Sequence, residues 1–117
     1  MDFLFARLRR IQRLFAHEWD AFLIATLAAA GPLRYGQLAN EMTLNCGRRL
    51  SDSTVVRTRD RLVRQGLVEC VDDGLGHPVH RLTESGRRQA QLLAAMAESI
   101  KDELDLPRTR PTAQRPA

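Results

Sequence analysis

The chain has 117 residues with a hydrophobic content of 44%, which suits one domain with a single core. Its formal net charge is +4 and its pI is near 10, so the composition favours a polyanionic partner, most simply nucleic acid. Two cysteines are too few for a disulfide framework or a tetrahedral metal set, and no apolar run approaches the ~20 residues of a membrane span.

Two free cysteines fit a reducing cytoplasm. Of the 18 basic residues 17 are Arg, a bias that genome composition alone can produce. No internal repeat is visible.

The spacing predicts an amphipathic helix over residues 2–16. Leu4, Leu8, Ile11 and Phe15 share one face, with Phe3 and Leu14 beside them and the Arg residues mostly opposite. Arg7, Arg9, Arg10 and Arg13 interrupt the apolar residues and no small-residue cleavage site follows, so this is not read as a signal peptide. Three Phe on so short a helix call for a large apolar partner, either a second copy of the chain or its C-terminal helix. A basic amphipathic helix can also lie on an anionic membrane, but the expected partner is protein.

Residues 17–30 read as a second helix carrying Trp19, Phe22, Leu23, Ile24 and Leu27. It is apolar nearly all round, as a central core helix should be. Gly31-Pro32 ends it. Residues 33–35 can form a short edge strand, and 36–42 a short helix burying Leu38, Ala39 and Met42. Residues 43–50 are then a long connection that carries Arg48 and Arg49.

Residues 51–71 organise the chain: a helix, a glycine stop and a strand. Ser51, Asp52 and Ser53 are all good N-cap types, so the helix start is signalled and only its register is loose. Gly66 is a natural C′ residue. Val55, Val56, Leu62 and Val63 make one side of the helix; Ser53, Thr54, Arg57, Arg61 and Arg64 make the other. An apolar side backed by an Arg/Ser/Thr side suits a helix anchored on a small core and lying in a DNA major groove, because Arg can donate two bonds to guanine and Ser and Thr can bond bases or phosphates. Residues 44–64 hold six Arg and two Asp, an excess equal to that of the whole chain. Arg59 breaks the pattern. It falls near the middle of the apolar side, where either its stem lies along the core edge with its head in water or it pairs with an acid from the next hairpin.

Residues 67–71 and 79–82 alternate with period 2 around a turn cluster at 72–78 and predict a β-hairpin. A long helix follows over 84–105, N-capped by Thr83, with Leu92, Met96, Ile100 and Leu104 on one side and Leu93 beside them. Residues 106–117 are rich in Pro, Arg and Thr and read as a disordered tail.

The fold class is therefore mainly α with a small β-hairpin wing: a winged helix-turn-helix over 1–105, with terminal helices at 2–16 and 84–105. Ser53-Thr54-Val55, Arg57, Asp60-Arg61-Leu62 and Gly66-Leu67-Val68 resemble the recognition helix of MarR-type regulators. Leu82-Thr83-Glu84-Ser85-Gly86-Arg87 resembles their step from wing to final helix. Trp19 with Gly31-Pro32-Leu33-Arg34-Tyr35-Gly36-Gln37-Leu38 is closer to the related HxlR-type regulators. The likeness covers about residues 18–93.

The resemblance implies a homodimer on a near-palindromic operator, with Phe3, Leu4, Leu8, Ile11, Phe15, Leu92, Met96, Ile100 and Leu104 at the dimer interface. By position it places Ser53, Thr54, Val56 and Arg57 at the bases, and the polar side adds Arg61. Arg34, Arg48, Arg49 and Arg64 are then phosphate contacts, with His77 and Arg81 on the wing. The chain departs from the family pattern in four ways. The connection before the helix is several residues longer, and Thr58 and Arg59 replace apolar residues. The wing tip carries Asp72 and Asp73 where an Arg is usual. The N-terminal cysteine of thiol-sensing HxlR-type proteins is absent.

No phosphate loop, nucleophile elbow or carboxylate pair placed for acid–base work is present, so no enzyme, catalytic residue or cofactor is expected. Cys70, His77 and His80 do not predict a metal site, since residues 77 and 80 point to opposite faces of an extended strand. Cys46, beside Arg48, is read as inert, with a redox switch as the sharper alternative. A small-molecule effector is compatible with the resemblance, but no residue identifies one. The expected function is a cytoplasmic, nucleoid-associated bacterial transcriptional regulator of double-stranded DNA, with repression as its expected sign; a protein-interaction adaptor and a non-specific architectural DNA-binding protein are the alternatives.

Overall fold

A computed structural model describes residues 2–100. In chain order the elements are α1 (Asp2–Leu14), α2 (Asp20–Ala30), α3 (Tyr35–Cys46), α4 (Asp52–Arg64), β1 (Val68–Asp72), β2 (Pro78–Leu82) and α5 (Glu84–Ser99). This is the mainly helical, winged arrangement expected from the sequence. The predicted continuation of the last helix to 105, Leu104 and the 106–117 tail lie outside the described residues.

The core forms around α2, whose Leu23, Ile24 and Leu27 pack with Leu38 and Met42 of α3, Val55 and Leu62 of α4, and Val68 and Leu82 of the hairpin. Three boundaries differ from the sequence reading. The second helix begins at Asp20, not at residue 17, because residues 15–19 turn through short i→i+3 bonds such as Phe15 N–H to the Gln12 carbonyl. Residues 33–35 make no strand. Leu33 forms a single antiparallel bridge to His80, and Tyr35 already opens α3. That helix continues past Met42 to Cys46, because no breaker intervenes before Gly47, which caps it at φ 74°. The long connection before α4 therefore shrinks to residues 47–51.

A part-buried polar thread that the sequence did not announce ties α2 to the end of α3. Asn45 Nδ2 donates to Thr26 Oγ1 at 3.1 Å, and Thr26 Oγ1 donates to the Phe22 carbonyl at 2.7 Å. Thr26 is fully buried, so these bonds satisfy a hydroxyl that would otherwise destabilise the core.

The start of α4 resolves to Ser51, whose Oγ accepts from the Thr54 N–H at 3.2 Å. Its end is a Schellman stop. Leu67 N–H reaches the Leu62 carbonyl and Gly66 N–H the Val63 carbonyl, each at 3.0 Å, with Gly66 at φ 74°. The hairpin pairs Val68 with Leu82 through Asp72 with Pro78. Thr83 then caps α5, accepting from Gly86 N–H at 3.0 Å while its hydroxyl donates to the Gly66 carbonyl at 2.6 Å.

His80 sits buried on β2, its Nδ1 3.3 Å from the Leu33 carbonyl. Burial pushes its pKa below the ordinary imidazole value, opposed by the Leu33 hydrogen bond; Arg59 lowers it further and Asp60 raises it. The folded chain thus holds this imidazole neutral, whereas the unfolded chain protonates it near pH ~6.5. Stability from His80 is complete above that pH and is lost as pH falls from there towards the lower folded-state pKa. The thermal midpoint is expected to drop on acidification through this window, and His80→Gln to flatten the drop. An equally steep drop in the variant would assign it to other groups.

Candidate nucleic-acid interface

The faces of α4 are set by what it buries. Val55, Thr58 and Leu62 point into the core at 1%, 2% and 0% exposure. Val63, expected on the apolar side, is 40% exposed, and Thr58 takes the buried place, with its hydroxyl satisfied by the Thr54 carbonyl at 2.8 Å. A helix can bury Thr at no polar cost when the i−4 carbonyl accepts its proton. Val56 and Thr54 are half-buried, and Ser53, Arg57 and Arg64 are exposed.

At the N-terminus of α4 three hydroxyls cluster. Ser51 Oγ donates to Thr54 Oγ1 at 2.9 Å and lies 3.3 Å from Ser53 Oγ. One turn along, Arg57 stands clear. Among the described residues, no ion pair involves Arg49, Arg57 or Arg64. Arg48, in the connection, places its guanidinium 5.4 Å from the Trp19 ring centroid, and the Cys46 thiol donates to the Arg48 carbonyl at 3.2 Å. Cys46 therefore closes α3 instead of lying in an open turn. Arg48, Arg49, Arg57 and Arg64 supply positive charge without an acidic partner.

Other expected contacts are drawn elsewhere. Arg61 does not face outward to bases. Its Nε and Nη2 grip Asp20 Oδ1 at 3.1 and 2.7 Å, and Asp20 is 4% exposed. A guanidinium held by two bonds to a buried carboxylate is not available for base readout. Arg59 pairs with the half-exposed Asp60 of its own helix at 2.8 Å and lies 5.7 Å from the Tyr35 ring centroid, so its head stays partly exposed and no wing acid receives it. Tyr35 in turn donates to Asp52 at the start of α4, and its pKa is raised, first by burial and then by Asp52.

The wing basic residues are also matched with acids. Arg34 meets Asp73 at 3.1 Å, His77 lies 3.5 Å from the same carboxylate, and Arg81 meets Glu69 at 2.7 Å. Exposed pairs of this kind are weak and can open, but their charges largely cancel at long range. The two wing acids have a structural use. Asp72 accepts from Gly74 N–H, and Asp73 accepts from Leu75 and His77 N–H, shaping a tip around Gly74 and Gly76 at positive φ. The Leu75 N–H, followed by the His77 N–H and Arg34, holds Asp73 below the usual carboxylate range. Among the described residues, no group of three or more His, Cys, Asp or Glu side chains is placed to bind a metal.

α1 holds only Leu14 buried; Phe3, Leu4, Leu8 and Ile11, with Phe15 just after it, are 41–69% exposed. Phe22 is also exposed, so the described residues do not cover α2 all round. Beside it, an apolar groove of about 680 Å³ runs between α2 and α5, lined by Phe15, Phe22, Leu93, Met96 and Ile100 among others. Leu92 lies nearby in sequence at 38% exposure. No described helix is long and apolar enough to cross a membrane.

No family model and no curated protein matches the chain. Solved structures do. A MarR family transcriptional regulator from Silicibacter pomeroyi superposes with a TM-score of 0.66 at 23% identity, over 93% of this chain and 78% of that one. The MarR family regulator NMB1585 from Neisseria meningitidis gives 0.59 at 23%, over 88% and 75%. F93 from STIV, a winged-helix DNA-binding protein, gives 0.57 at 18%, over 70% and 88%. At these identities the likeness establishes the winged-helix fold.

Proposed function

We propose that this winged-helix chain is a homodimeric, sequence-specific DNA-binding regulator that represses transcription by occupying a near-palindromic operator. The observation that carries the reading is the exposed face of α4, where the Ser51, Ser53 and Thr54 hydroxyls and unpaired Arg57 stand together, flanked by Arg48, Arg49 and Arg64. The regulators that share the fold support it. Ser53, Thr54, Val56 and Arg57 read base edges, and Arg48, Arg49 and Arg64 hold phosphates. Arg34, His77 and Arg81 approach DNA only if their acidic partners release them.

The dimer forms through the apolar stripe of α1 and the Leu92, Met96 and Ile100 side of α5. It sets the two α4 helices about one helical turn, ~34 Å, apart along the duplex. No chemical step is assigned to the chain, and it acts at the bacterial nucleoid. An adaptor that binds another protein is the second reading. Leu75, 76% exposed at the wing tip, is the feature that favours it.

Titration of a labelled duplex at several salt concentrations tests the reading. Affinity is expected to fall linearly on a log–log scale as counterions are released, and Arg48→Ala to flatten that slope by about one. An unchanged slope would remove Arg48 from the interface. No binding at low salt by folded protein would favour the adaptor.

A further inference from the structure

Asp20 and Arg61 lie 41 positions apart and join the first turn of α2 to the last turn of α4. Both acceptor contacts are short, the carboxylate is 6% exposed and the guanidinium side chain 21%. Otherwise α4 rests on the core through Val55, Thr58 and Leu62. Among the described residues, the only other side-chain hydrogen bond between α4 and a neighbouring helix is the exposed Tyr35–Asp52 bond at its first turn, far from Arg61. Apolar packing is non-directional and allows a helix some rotation about its axis. A two-pronged ion pair does not, because it fixes both distance and angle. Buried ion pairs contribute little net stability against an apolar replacement, and their best-attested use is to fix register.

Arg57 is one turn before Arg61, about 40° round the same side of the helix. Whatever fixes the azimuth of Arg61 therefore fixes that of Arg57. The same end of α2 meets the other flank of the motif, since Arg48 lies over the Trp19 ring. Two consecutive residues, Trp19 and Asp20, thus reach both ends of the connection–helix unit.

We infer that Asp20 is a positioning residue for DNA readout: by clamping Arg61 it sets the rotation of α4 and so the sequence selectivity of Arg57, without touching DNA itself. The inference rests on the DNA-binding reading above. It makes Arg61 part of the scaffold and separates selectivity from charge.

The test uses the full chain and two probes, a duplex enriched by the wild-type protein from a random pool and a shuffled duplex of equal length. Asp20→Ala with Arg61→Met removes both charges together and leaves neither stranded. The double variant is expected to stay folded by thermal melting and to bind the shuffled duplex as wild type does, with the same salt slope. Its preference for the enriched duplex is expected to fall about tenfold or more, the order of one misread base pair. Full preference in the folded double variant overturns the inference and leaves the pair a packing contact. A salt slope lowered by Arg61→Met alone, together with tighter binding by Asp20→Asn, also overturns it, by making Arg61 a phosphate contact that Asp20 restrains. If wild type enriches no sequence, the DNA-binding reading falls first and takes the inference with it. An unfolded double variant overturns it too, since the pair would then be a stability element; Arg61→Lys, which keeps charge but loses the fork, checks that outcome by its own melting point and preference.

Discussion

Gly86→Ala is expected to destabilise the chain by about 3 kcal/mol, the upper end of what overpacking costs. A Cβ at Gly86 would fall 2.0 Å from the Leu67 carbonyl oxygen and 3.1 Å from both the Leu67 carbonyl carbon and Leu82 Cδ2. The leading obstacle is backbone, and it is held in place. Leu67 accepts from Thr83 N–H at 3.0 Å, and its own N–H closes the stop of α4. Relief therefore requires α5 to lift off the wing or the Thr83 cap to break. An alanine in a helix gains ~1 kcal/mol over glycine in propensity, which the clash outweighs. For a domain of this size the thermal midpoint should fall by roughly 12 °C or more. A fall of under about 4 °C would mean that the first turn of α5 relaxes freely.

Arg57→Ala is expected to weaken binding to the preferred duplex by about 1–3 kcal/mol, concentrated at one base position. Arg57 is exposed, carries no ion pair among the described residues, and follows the Ser53 hydroxyl by one turn on the same face of α4. Two other Arg of α4 are committed elsewhere: Arg61 to Asp20, Arg59 to Asp60. Arg57 is thus the cation on α4 best placed to fork onto guanine. Competition with duplexes altered one position at a time locates the effect. A uniform loss at every sequence, with a salt slope lowered by about one, would reassign Arg57 to the phosphates.

Local signals made most of the fold legible. The Ser51–Ser53 cluster announced the start of α4 but not which residue caps it, because all three types satisfy the same geometry. Gly66, the turn cluster of the wing and the Thr83 cap each act over a few residues and read directly. The stripe of α1 was legible as a helix that needs a partner, and among the described residues it remains exposed.

The contacts that shape the candidate surface on α4 were less legible. Periodicity places Arg57 and Arg61 on one side, but it cannot show that Asp20, 41 positions away, claims the second. The same limit hid the Asn45–Thr26 bond. Arg59 looked misplaced on an apolar side until Tyr35 and Asp60 were seen beside it. Gly86 stood inside a motif, yet the reason for glycine is the Leu67 carbonyl from an earlier element. Except for Asp60 beside Arg59, the deciding partner is distant in sequence, and hydrophobic period carries no information about it.

The central claim is that two copies of α4 read an operator. Selection of bound sequences from a random duplex pool, at near-physiological salt with excess competitor DNA, tests it most directly. The expected result is an enriched inverted repeat whose half-sites are centred about 10 base pairs, one helical turn, apart. Folded, dimeric protein that enriches no sequence would contradict the claim and move the assignment to an adaptor or an architectural DNA-binding protein.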